Sequence, residues 1–201
     1  MRTVVLAILA VLVLAAAAVL GVRWFGPGSE PAAALTEVPI GGPFTLTDQN
    51  GRQVSDEEFR GRLMLVYFGY TFCPDMCPLG LSTIADAIDA LPPELQDQVV
   101  PVFITVDPAR DTPAVLHDYV PQFSPRLVGL TGSETEIAGA LRAYRVYASK
   151  SDAKAADGGY LVDHSTFTYL MGRNGKYLTH FGHGTTPEEM AKSIGQFAGE
   201  G

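Results

Sequence analysis

The chain has 201 residues, which suits one domain with an extension, and 47% of them are hydrophobic, enough to fill a sizeable core. Acidic residues outnumber basic ones by 22 to 14, for a formal charge of −8. That balance argues against nucleic acid as a partner, since nucleic acid calls for a basic face, and is compatible with a cationic ligand or a basic protein partner.

Residues 3–22 (TVVLAILAVLVLAAAAVLGV) carry no charged side chain and are long enough to cross a hydrocarbon core of about 30 Å. Arg2 and the α-amino group precede this run, and Trp24 and Phe25 follow it as interfacial anchors. The positive-inside rule then places the N-terminus in the cytoplasm and the rest outside it. A cleaved signal peptide is the alternative, because the alanines at 15–18 offer small residues to a peptidase. The run exceeds a usual signal core, so residues 1–25 are expected to form a transmembrane helix anchored in the inner membrane, with the domain on the periplasmic or extracytoplasmic side. On either reading the domain faces an oxidising compartment, where paired cysteines matter. Residues 26–39, rich in Gly, Pro and Ala, read as a flexible tether, and the globular domain is expected over 40–201.

Within the domain, strands and helices alternate. FTLTDQNGRQVS has a turn signal at Asn50-Gly51 between two extended runs and predicts a hairpin. Ser55 and Glu58 then form a capping box for a short helical turn. LMLVYFGY at 63–70 is a near-continuous apolar run, as expected of a central strand buried on both faces. Leu81, Ile84, Ala85, Ile88 and Leu91 recur at helical spacing until Pro92-Pro93 stops the helix. VVPVFITV at 99–106 predicts a second buried strand, and Pro113 opens a helix reaching about Tyr119. LVGLTG predicts a short strand, and Ser133 with Glu136 caps a helix through Leu141. STFTYLMG and KYLTHFG flank a turn at Arg173-Asn174-Gly175 and predict a second hairpin, after which Thr186, Pro187 and Glu189 start the last helix. Two βα units followed by a hairpin and a helix describe an α/β sandwich of thioredoxin type with a central mixed sheet.

The only cysteines, Cys73 and Cys77, lie in TFCPDMCPLG just after the first buried strand. Each precedes a proline, which disfavours the α conformation, so both are expected to be extended, with Cys77 as N-cap and Pro78 at the first helical position. Thiols near a helix N-terminus are biased toward thiolate, the form that attacks disulfides and binds metal. The spacing fits a structural staple, a redox pair or half of a metal site. A staple closing so short a loop contributes only about 2 kcal/mol, which a domain this apolar hardly needs. A redox pair of the usual thioredoxin type has CxxC spacing and a cis-proline before a later strand. Here the spacing is CxxxC, and the position before STFTYLMG reads VDHS. That places His164 where it can face the cysteines. Two thiolates and an imidazole form a soft set suited to copper(I), and to copper(II) with added oxygen or nitrogen donors. Structural zinc sites take four protein ligands, and the chain has no further cysteine. His117 is expected on the surface of its helix. His180 and His183, at a strand end, are poorer candidates, with His183 a backup ligand.

YFGYTFCPDMCP, VDPARDTP and YLVDHSTFTYL, in this order, resemble the Sco/SenC family of membrane-tethered copper-binding proteins, and the similarity runs from about Phe44 to the last helix. The resemblance implies a thioredoxin-like fold and copper held by Cys73, Cys77 and His164. It also implies delivery of copper to the binuclear copper centre of cytochrome c oxidase, with that centre's subunit as client and another copper chaperone as a further partner. Such a protein binds and delivers without turnover of its own. A thiol–disulfide reductase that keeps the client's copper-binding cysteines reduced is the alternative the same family allows. Asp163 is a candidate to orient the imidazole, and Asp75 to cap or shape the cysteine loop. VDPARDTP reads as a turn entering a helix, with a partner-docking role also open.

Overall fold

The structure, a computed structural model, describes residues 39–155 and 158–199. The apolar run expected to span a membrane lies outside these residues, as does the tether up to residue 38. Among the described residues no helix is long and apolar enough to cross a membrane.

A seven-stranded mixed sheet has the order β2-β1-β5-β4-β3-β8-β9. Its centre is β3 (Leu63–Gly69) flanked by parallel β4 (Val99–Thr105) and antiparallel β8 (Thr168–Met171). Beyond β4 come β5 (Val128–Thr131), β1 (Thr45–Asp48) and β2 (Gln53–Ser55). Beyond β8 comes β9 (Tyr177–Phe181). Gly51 closes the first hairpin at φ +79°, a conformation that glycine adopts without steric cost.

All seven residues of β3 are buried, because alternate side chains enter two different cores. Leu63, Leu65 and Tyr67 pack with Leu81, Ile84 and Ile88 of α1 (Met76–Asp89), Leu116 of α3 (Pro113–Tyr119) and Ile194 of α5 (Pro187–Gly199). Met64, Val66 and Phe68 pack on the other face with Ile137 and Ala140 of α4 (Glu134–Ala143). Helices on both faces of a mixed sheet make this a thioredoxin-like α/β fold. Ser133 and Glu136 close the predicted capping box, and Thr186 with Glu189 does the same at the last helix.

Three local expectations need correction. Helix α1 begins at Met76 with Asp75 as its N-cap residue, so Cys77 lies inside the first turn instead of capping it. A proline in the first turn lacks only an N–H that would have no partner anyway, and Leu79 N–H bonds back to the Asp75 carbonyl at 3.2 Å. Pro92-Pro93 follow the end of α1 as expected, but a short helix that the sequence reading did not include, α2 (Pro93–Gln96), begins there. Finally, YLVDH is itself a strand, β7 (Tyr160–His164), paired antiparallel with β6 (Ala148–Lys154) in a separate two-stranded ribbon. The strand β8 starts only at Thr168, so His164 closes one strand before the next begins.

Candidate metal centre

The C-terminal end of β3 delivers the cysteine loop. A Cβ at Gly69 would lie 2.7 Å from Cys77 Sγ and 3.0 Å from the Phe103 ring, so glycine is what lets the sulfur seat against the strand end. Gly80 plays the matching part on α1, where a Cβ would meet the Tyr67 ring at 2.9 Å. The start of the loop is tied to β4: Thr71 donates its N–H and its hydroxyl to Asp111 at 3.0 and 2.6 Å, and Thr105 donates its hydroxyl to the same carboxylate at 2.6 Å. Asp111 is wholly buried, and that burial raises its pKa against the opposing pull of these hydrogen bonds.

Both cysteines are free thiols, Cys73 at 8% exposure and Cys77 fully buried. Cys77 N–H donates to Cys73 Sγ at 3.4 Å, so a helix N–H with no partner in its own helix finds one in sulfur. Cys73 is lowered to about 4, first by hydrogen bonding from the Cys77 thiol and then, against the effect of burial, by His164 and the N–H groups of Cys77 and Asp75. Cys77 is pushed up by the same shared proton and by its burial. The two shifts run in opposite directions, which makes Cys73 the more acidic thiol of the pair.

The ribbon β6–β7 supplies the third donor. His164 Nε2 lies 3.5 Å from Cys77 Sγ, and its Nδ1 lies 2.9 Å from the Ser165 carbonyl. A carbonyl only accepts, so Nδ1 donates to it and the other ring nitrogen, Nε2, is the one that faces the sulfurs. Tyr70 packs edge-on against the imidazole with centroids 5.8 Å apart, and its hydroxyl accepts from Val162 N–H at 3.3 Å. The two sulfurs and the imidazole nitrogen all lie within 4.8 Å of one another, a group that a metal ion could join. Their softness suits copper(I), while three donors fall short of the four that structural zinc takes.

The structure thus brings Cys73, Cys77 and His164 together. It does not make Asp163 the partner of the imidazole. Strand alternation turns Asp163 outward, and a backbone carbonyl takes that part, which no side-chain pattern could have announced. Asp75 makes no side-chain cap bond. His117 is exposed beside Asp118, His180 contacts Tyr177, and exposed His183 stands outside the donor group. Gly69 had a readable signal, a glycine at the end of a buried strand.

The model of the SCO1/SenC family matches residues 32–199. An SCO2-like protein of Rickettsia felis is 44% identical over 157 residues, covering 78% of this chain and 76% of its own. The copper-bound structure of ScoI from Bradyrhizobium japonicum is 45% identical with a TM-score of 0.71, covering 79% of this chain and 99% of that one. More distant, at 27% identity and a TM-score of 0.61, is BsSco, described as having a disulfide switch and as a member of the Sco family of cytochrome c oxidase assembly proteins; the match covers 80% of this chain and 94% of that one.

Proposed function

The chain belongs to the SCO1/SenC family, and from that premise we propose that it binds copper through Cys73, Cys77 and His164 and delivers it to the binuclear copper centre of cytochrome c oxidase. The observation that carries this reading is the convergence of two sulfurs and one imidazole nitrogen within 4.8 Å. Copper(I) is the cargo this set favours. On loading, the Cys77 thiol gives up its proton, and the Ser165 carbonyl keeps Nε2 directed at the metal. On delivery, a client thiolate enters as His164, the least buried of the three, leaves. Each departing thiolate takes up a proton as an incoming thiol releases one, and copper stays in one oxidation state. Anaerobic copper(I) titration tests the assignment: one ion per domain is expected, with affinity falling in His164→Ala. Undiminished affinity in that variant sinks it.

The lowered pKa of Cys73 beside a Cys77 whose pKa is raised favours a second reading, a thiol–disulfide reductase. The Cys73 thiolate would attack a client disulfide, and Cys77 would resolve the mixed disulfide, leaving a client dithiol and a Cys73–Cys77 bond. A thiol reductant in the compartment would then return the two electrons.

The uncharged run at 3–22 supports a single-pass anchor with the domain outside the cytoplasm. Resistance to carbonate extraction is the expected result, and recovery of a soluble form starting after the alanine run would instead identify a signal peptide.

A further inference from the structure

The ribbon that carries His164 shares no ladder with the main sheet, so something other than strand pairing must set its distance from the cysteine loop. The segment VDPARDTP supplies the connection. The guanidinium of Arg110 lies over the Tyr160 ring of β7, 3.7 Å from its centroid. It also lies 4.7 Å from the centroid of Phe72 and 5.5 Å from that of Tyr70, both just ahead of Cys73. Arg110 Nη1 donates to the Tyr160 carbonyl at 2.9 Å, and Nε pairs with Asp107. Asp107, almost fully buried, accepts in turn from the Tyr160 hydroxyl at 2.8 Å. Nη2 is buried with no partner, so aromatic faces define the place of this cation more than its donors do.

We propose that Arg110 is a positioning residue: by clamping Tyr160 against Phe72 and Tyr70, it sets the separation between the His164 imidazole and the two sulfurs. Tyr160 and His164 bound the same five-residue strand, so a shift at one end of β7 is felt at the other. The inference rests on the copper-site reading above. Only a planar fork can stack and donate to the carbonyl at once, so lysine would keep the charge opposite Asp107 without holding the ribbon.

The test is a double-mutant cycle on copper(I) affinity in the soluble domain, measured by competition with a chromophoric chelator. Arg110→Gln should weaken binding about tenfold, as loss of support behind a metal ligand does. In a His164→Ala background the same change should do nothing further. Arg110→Lys should restore thermal stability without restoring affinity, and it carries the cycle if Arg110→Gln fails to fold. In the metal-free domain, Arg110→Gln or Arg110→Lys should speed hydrogen exchange across β6–β7 while leaving β3 unchanged. An equal loss in both backgrounds, or no loss in the native one, overturns this inference alone. An affinity indifferent to His164→Ala overturns the site assignment and this inference with it.

Discussion

Cys77 Sγ and His164 Nε2 meet at 3.5 Å across 87 positions of sequence. The sulfur comes from a helix packed on the central strand, the imidazole from a ribbon outside the main sheet. Because two separate elements supply the donors, changes on either side should have separable consequences.

Removing the imidazole should damage copper handling but leave the cysteine chemistry. His164→Ala is expected to weaken copper(I) binding and to impair oxidase copper loading in cells carrying only the variant. Disulfide exchange needs a thiolate, a disulfide and access, so the midpoint potential of the pair should move by less than about 60 mV, a hundredfold in equilibrium for two electrons. Normal oxidase assembly at low copper would mean that delivery does not pass through this site.

The two thiols should react in order. Cys73 is the more exposed sulfur and the one whose pKa is lowered, whereas Cys77 is sealed in the core with its pKa pushed up. A limiting alkylating reagent on the reduced, metal-free domain should label Cys73 first, as read by peptide mapping. Preferential labelling of Cys77 would reverse the assigned roles.

Much of this was legible before the structure. The run LMLVYFG is apolar at every position because its two faces enter two cores, and that continuity is visible in the letters alone. The order of motifs placed His164 near the cysteines. The ribbon that holds it was not legible, because ASKSDAK is largely exposed along its length and leaves no buried face to give a period-two signal. Nor was the clamp: nothing in the spacing of Phe72, Arg110 and Tyr160 announces that three distant segments converge on one guanidinium.

Gly69 should tolerate no side chain. Gly69→Ala drives a methyl to 2.7 Å from Cys77 Sγ and 3.0 Å from Phe103, and overpacking of that kind costs about 1–3 kcal/mol. The variant should melt lower and bind copper(I) more weakly, and adding Cys77→Ala should recover part of the lost stability. A variant with native melting temperature and native affinity would show that the strand end yields freely.

Asp111 should make stability fall with rising pH. Burial raises its pKa above the ordinary value of 3.8, so over the interval from 3.8 up to the raised value the native state binds more protons than the unfolded chain. Its contribution is therefore most favourable at low pH and is lost as pH rises through the folded value. Asp111→Asn can keep the network, its oxygen accepting from Thr71 N–H and the Thr105 hydroxyl while its amide donates to the Thr71 hydroxyl. Urea unfolding at pH 3.5 and pH 7 should show the difference between variant and native protein shifting in favour of the variant at pH 7. A difference independent of pH, or one of the opposite sign, would rule this out.

Both cysteine side chains are members of the hydrophobic cluster on one face of the sheet, in the same cluster as Leu65, Leu81 and Phe103. A zinc finger gains its fold from its metal and loses it on release. Here the cluster is closed by side chains, so on the proposed delivery reading release of an ion would not require unfolding. On that reading the direction of traffic would be decided by relative affinity and supply: contacts able to hand an ion to a client would also take the ion back when the client is already full.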